Sequence, residues 1–130
     1  MRMIKTKRTR NGGTWTESQY WTAIRSALRQ KFSYWKPGQA VKLAARRKYS
    51  GKGRRKWEYQ CNVCKQWFAD KDVQIDHIKP VGRLKCYDDI VQFLKNLTPE
   101  STDNFQCLCR VCHQKKTNLE RKLNRRLKEK

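Results

Sequence analysis

Two Cys-x-x-Cys pairs constrain this chain more than any other feature. Cys61-Asn62-Val63-Cys64 and Cys109-Arg110-Val111-Cys112 stand 44 residues apart. A turn that tight brings two sulfurs together, and two such pairs read as a tetrahedral site for one structural Zn²⁺. Lys65 and Arg110 beside them would favour the thiolates. Two disulfides are the competing reading, but they belong to oxidising compartments. The opening Met1-Arg2-Met3-Ile4-Lys5 lacks the apolar run of a secretory signal. No stretch of about 18 apolar residues offers a membrane span, so a cytoplasmic protein without a membrane partner is expected. A redox pair would need a thioredoxin-like βαβ pattern, which is not seen. Of the two remaining cysteines, Cys86 and Cys107, the latter is expected to pack as a small apolar residue.

A metal tie would explain how so polar a chain folds. It has 130 residues, 37% of them hydrophobic, and a mean hydropathy of −1.04. Binding free energy of an ion held between residues 61–64 and 109–112 becomes folding free energy. Five Trp, five Tyr and four Phe argue against a disordered tail. The net charge of +21 favours a polyanionic partner. That charge is uneven. Residues 1–57 hold 17 basic and one acidic residue, 58–108 hold six and eight, and 109–130 hold nine and two. A near-neutral middle suits a site, and basic flanks suit phosphate contact.

Residues 1–13, ending in Asn-Gly-Gly, read as a flexible basic arm. Thr16 and Gln19 form a capping box, with Trp15 and Tyr20 placed as a hydrophobic staple. Tyr20, Ile24, Ala27, Leu28, Phe32 and Trp35 then predict an amphipathic helix over 17–33. Pro37-Gly38 would break it, and a second helix would cover 39–48. Residues 50–56 read as a mobile basic linker. The expected division is therefore an arm (1–13), a helical DNA-binding or supporting segment (14–56) and a domain over 57–130. Alternation over 57–61 suits a strand, and 65–68 with 73–75 suggest a hairpin. A short helix is expected over 88–97 and a polar loop over 100–108. A basic helix starts at about Arg110, with Leu119, Leu123 and Leu127 four apart. No internal repeat is visible.

Three polar elements follow in order: Asp76-His77 at a strand end, Asn104 in the returning loop, and His113 directly after Cys112. The segments are VQIDHIKP and DNFQCLCRVCHQKKT. Over residues 57–117 this resembles the HNH endonuclease family, of the zinc-knuckle, small phage-like type. The resemblance rests on Asp-His-x-x-Pro, on an Asn nine residues before the final His, and on Cys-x-x-Cys-His-x-x-Lys. It implies an α+β fold: a ββα-metal nuclease core with a four-cysteine zinc site, preceded by a basic helical segment. It implies a phosphodiesterase acting on double-stranded DNA with one catalytic divalent cation, and no small-molecule cofactor. The chemistry agrees, since a histidine titrating near neutrality suits a general base and a carboxylate suits a hard cation. By resemblance, His77 is the general base, Asp76 and His113 hold the metal, and Asn104 orients the loop and His77. The cut would leave 5′-phosphate and 3′-hydroxyl ends. Some members carry a further histidine four residues after the last one, where this chain has Thr117. That sparser shell favours Mg²⁺ or Mn²⁺.

Adjacent strand residues point to opposite faces, so Asp76 and His77 would need a twist or bulge to converge. Each residue also has a bland reading: a structural His77, a His113 completing a Cys₃His site, an Asp76 paired to Lys79. Jointly these require the chain's only two histidines to fall on motif positions by chance. Phosphate contacts are expected from Lys5, Lys7, Arg8 and Arg10 in the arm and from Lys52, Arg54, Arg55 and Lys56 in the linker. The final helix adds Lys115, Lys116, Arg121 and Arg125. A phage or mobile-element origin, with a homing or packaging-associated role in a host-cell cytoplasm, is the looser implication. One active site would nick; double-strand cutting would need two protomers or two nicks, and the oligomeric state stays open. The competing functions are a non-catalytic zinc-ribbon DNA-binding protein and an RNA-directed protein, the latter lacking an RNP-type aromatic motif.

Overall fold

The computed structural model describes residues 6–128. Along the chain run β1 (Arg8–Arg10), β2 (Trp15–Thr16), α1 (Glu17–Lys31), α2 (Lys36–Ala44), β3 (Arg46–Lys48) and β4 (Trp57–Gln60). They are followed by β5 (Trp67–Phe68), β6 (Val73–His77), α3 (Ile90–Leu97), β7 (Phe105–Cys109) and α4 (Arg110–Lys128). The fold is mixed α+β. No helix among the described residues is long and apolar enough to cross a membrane. The chain forms two compact units, one from the described residues up to Trp35 with Pro80–Pro99, the other from Lys36–Lys79 with the residues from Glu100 onward.

In the first unit α1 starts at the expected capping box. The Gln19 N–H donates to Thr16 Oγ1 (3.1 Å), and the Thr16 N–H donates to Gln19 Oε1 (2.8 Å). Tyr20, Ile24, Leu28 and Phe32 recur every fourth residue and pack on a core of Trp21, Val81, Leu84, Phe93 and Leu97. Residues 8–16 depart from the expected arm. They form a β1–β2 hairpin turning through Asn11, Gly12 and Gly13, all at positive φ. Arg10 fastens it: its guanidinium holds Glu17 through two bonds (2.9 and 3.0 Å) and lies 4.2 Å over the Tyr20 ring.

In the second unit β3, β4 and β5 form one antiparallel sheet, and β6 pairs with β7 in a second. Five expectations are corrected here. Pro37-Gly38 does not separate two helices but lies in the first turn of α2, where proline costs no hydrogen bond. The helix expected over 39–48 ends at Ala44, and Arg46–Lys48 are a strand pairing with Trp57–Tyr59. Residues 50–56 are therefore the loop of a β3–β4 hairpin within one unit, not a boundary between domains. The hairpin expected from 65–68 and 73–75 does not form, because β5 returns to β4 while β6 runs to β7. The loop expected over 100–108 contains β7, whose five residues are all buried.

The β6–β7 pair lies between α2 and α4. Its register is unbroken from Val73↔Cys109 to His77↔Phe105. Ile75 and Phe105 face α2, where Gly38 sits so close that an added Cβ would come within 3.2 Å of Ile75 Cγ2. Asp76 and Gln106 lie on the opposite face, toward α4. Past its contact with the sheets α4 exposes Leu119, Leu123 and Leu127. Filling the α2 contact tests this arrangement: Gly38→Leu should cost about 1–3 kcal/mol through overpacking, read by chemical denaturation, with Gly38→Ala costing less.

Candidate metal centre

The four paired cysteines converge. Their sulfurs all lie within 4.8 Å of one another, and the Cys64 and Cys109 Sγ atoms are 4.0 Å apart. Four thiolates at about 2.3 Å from a tetrahedral ion stand about 3.8 Å apart, so the cluster could hold a metal ion. All six cysteines are free. Local backbone builds both turns. The Lys65 N–H bonds to Cys61 O and the Cys61 N–H to Gln66 O, each at 3.0 Å, with Lys65 at φ 62°. The other pair spans the β7–α4 junction, where the Cys112 N–H points at Cys109 Sγ (3.4 Å).

The thiols are pulled in opposite directions. Burial raises the Cys61 thiol, but N–H groups of Cys109, Cys64 and Val63 outweigh it and bring it down to about 6. Burial, followed by hydrogen bonds that the Cys112 S–H donates to the neighbouring sulfurs, pushes Cys112 up to about 12. Four thiolates so close repel, and a bound cation is what lets all of them ionise. Cys107 stays outside the cluster as a buried thiol that desolvation raises to about 11.

A second group forms where β6 meets α4. Asp76 Oδ1 lies 3.5 Å from His113 Nε2, and Asp76 Oδ2 lies 3.2 Å from the Lys116 ammonium. The Asp76 side chain is 11% exposed and that of His113 34%. Neighbouring ligands on a small octahedral ion stand about 3.0 Å apart, against the 3.5 Å between Asp76 Oδ1 and His113 Nε2. Gln106 carries the first site to the second. Its Nε2 donates to Asp76 Oδ2 (3.1 Å), and its Oε1 accepts from Asn62 Nδ2 (2.9 Å) inside the first cysteine turn.

Asn104 brackets the residue after Ile78: its Oδ1 accepts from the Lys79 N–H (2.8 Å) and its Nδ2 donates to Lys79 O (3.1 Å). It thereby fixes the backbone just beyond His77. No bulge brings His77 round to Asp76. The His77 ring lies against Phe105, its cross-strand partner, at 4.8 Å on the α2 side. Beside His113 a polar cavity of about 280 Å³ is lined by Lys71, Gln74, Arg110 and Gln114.

No protein-family model matches this chain, and neither a curated protein nor a solved structure matches it.

The basic residues singled out from the sequence have different fates. Lys5 lies outside the described residues. Lys7, Lys52, Arg54, Lys56, Lys115, Arg121 and Arg125 are exposed. Arg8 donates to Thr14 O (2.8 Å) across its hairpin. Arg10 and Lys116 are each paired to carboxylates of the chain itself. Arg10 serves the Glu17 pairing. Lys116 bridges Asp76, Glu120 and His77 O. Burial pulls its ammonium down, but the two carboxylates outweigh that and hold it above its ordinary value. Sequence reasoning missed Gln106, Glu120 and the pairing role of Lys116. Only the helical spacing of Lys116 and Glu120, one turn apart, carried a signal.

Metal analysis separates the cysteines. The parent should carry one metal equivalent at the four-cysteine cluster. Cys61→Ala should lose it and unfold, whereas Cys107→Ala should keep it. Equal metal in Cys61→Ala and the parent would discard the cluster as a metal site.

Proposed function

We propose that this chain is a metal-dependent endonuclease that hydrolyses DNA phosphodiester bonds at the β6–β7–α4 junction, with one Zn²⁺ in the four-cysteine cluster. The observation carrying this reading is the meeting of Asp76 and His113 at 3.5 Å. One of them ends a strand, the other opens a helix, and the strand pair between them matches the order of the HNH family that the sequence resembles. The sulfur spacing and the all-thiol donor set support zinc.

In this reading Asp76 and His113 hold Mg²⁺ or Mn²⁺, which when bound neutralises charge on the scissile phosphate and the leaving oxygen. His77 takes the proton from the attacking water. Since Asp76 and His77 project from opposite faces of β6, the phosphodiester would lie across the open strand end between them. Asn104 holds that end still through Lys79. Lys71 and Arg110, lining the cavity beside His113, attract the backbone. Lys116 must yield Asp76 Oδ2 if both carboxylate oxygens engage the ion, and Glu120 is positioned to keep its ammonium.

A second reading, a non-catalytic zinc-ribbon protein that binds DNA, is favoured by one contact. The Lys116 ammonium already neutralises Asp76.

Plasmid cleavage decides between them. With Mg²⁺ or Mn²⁺ the parent should convert supercoiled DNA to relaxed or linear forms. His77→Ala should slow this at least about a hundredfold, and Asp76→Ala and His113→Ala should abolish it. All three should keep the parent's zinc content. A parent inert with both cations leaves the second reading; His77→Ala cutting at the parent's rate removes His77 as the base.

A further inference from the structure

The β3–β4–β5 sheet carries arginine cations held over aromatic rings. The guanidinium carbons of Arg47 and Arg55 lie 3.7 and 3.8 Å over the Trp67 and Tyr49 rings, and that of Arg46 lies 3.9 Å over Trp57. Strand register sorts them by face. Arg47 stands opposite Glu58 and Trp67 opposite Gln60. The ladder continues through the Tyr49 N–H to Lys56 O at 2.9 Å. Alternation therefore puts Arg47, Tyr49, Lys56 and Trp67 on one face. The other face, with Trp57, Tyr59 and Phe68, turns to the core around Val73 and Cys107.

The loop is fastened to the outer face. Tyr49 packs so closely on Gly51 that a Cβ there would collide with its hydroxyl, and Arg55 covers its ring. Residues 46–56 contain seven basic residues and no acidic one. Glu58 holds Arg47 by its Nε–H (2.6 Å) and fixes the plane of the fork.

We propose that this outer face binds the phosphate backbone of duplex DNA. A guanidinium stacked on a ring presents its N–H groups in a set plane, which suits phosphate oxygens. The same stacking covers the Trp67 and Tyr49 rings, which a single strand would need uncovered for its bases. The face therefore follows a backbone and does not read bases. The inference rests on DNA as the substrate in the proposed function and is tested by binding, not cutting.

Fluorescence anisotropy with a duplex, and with a single strand of equal length, in buffer free of Mg²⁺ and Mn²⁺ tests it. Two lost phosphate contacts should make the log–log salt slope of Arg47→Ala/Arg55→Ala shallower by about 2. At about 0.1 M salt that corresponds to roughly 60-fold weaker duplex binding. Tyr49→Leu keeps every charge and should weaken duplex binding with the slope unchanged. An unchanged metal content in both variants confirms their folding. The inference is overturned if the double variant keeps the parent's slope, or loses single-strand binding more than duplex binding. A parent that binds as described yet cuts nothing sinks the nuclease reading alone; a double variant that cuts DNA with the parent's slope sinks this face alone.

Discussion

Four sulfur atoms crowded within 4.8 Å are the constraint on which the second unit depends. One pair closes the turn between β4 and β5, and the other sits where β7 becomes α4. A metal ion held there would join segments 44 residues apart in sequence. It would also set the rotation of α4, because Cys112 lies in its first turn and His113 follows directly. The Asn62 N–H donating to Cys107 O (2.8 Å) and the Asn62–Gln106–Asp76 hydrogen bonds extend the same tie. The buried amide of Gln106 is satisfied on both sides, which is how such a group avoids its desolvation cost. The candidate site is thus positioned from two directions, by strand register and by the cysteine turns.

What was legible in the sequence follows which signals are local. The capping box of α1, its four-residue apolar spacing, the start of α4 and the apolar face of α3 are short-range patterns, and all are present. Strand β7 was not legible. It lies between α2 and α4, both faces are buried, and such a strand loses the alternation that marks a half-exposed one. Strand β3 failed for the opposite reason. Arg46-Arg47-Lys48 has no apolar residue, and its strand character comes from cross-strand stacking on Trp57 and Trp67, which lie 11 and 20 positions away. Pro37-Gly38 misled because proline ends helices and also begins them.

The candidate site was legible in its order but not in its surroundings. In the sequence Asp76 and His113 are paired only by what the resemblance to the HNH family implies, one near the end of a β-run and the other near the start of a helical one. Gln106 could not be placed with them, because its role exists only through the register Asp76↔Gln106. Lys116 reads as one more cation in a basic helix, yet the fold spends it on two carboxylates and a carbonyl. Its ammonium, 3.2 Å from Oδ2, places an opposite charge beside a carboxylate that is only 11% exposed.

Net charge is therefore a poor count of contacts. Of the cations near the start of the chain, Arg10 is bound to Glu17, and Arg25 donates to Leu84 O (2.8 Å). They hold the first unit together. The exposed cations concentrate in the β3–β4 loop and along α4, both in the unit that carries the cysteine cluster and the Asp76–His113 pair. The same unit has acids where its own cations need them: Asp70 on Lys42, Glu58 on Arg47, and Asp76 with Glu120 on Lys116. A polyanion following this unit would meet cations already oriented by rings and carboxylates. Less side-chain entropy is then lost on contact than with lysines on a flexible tail. Orientation of a few arginines, more than the total of +21, is what would set where such a partner lies.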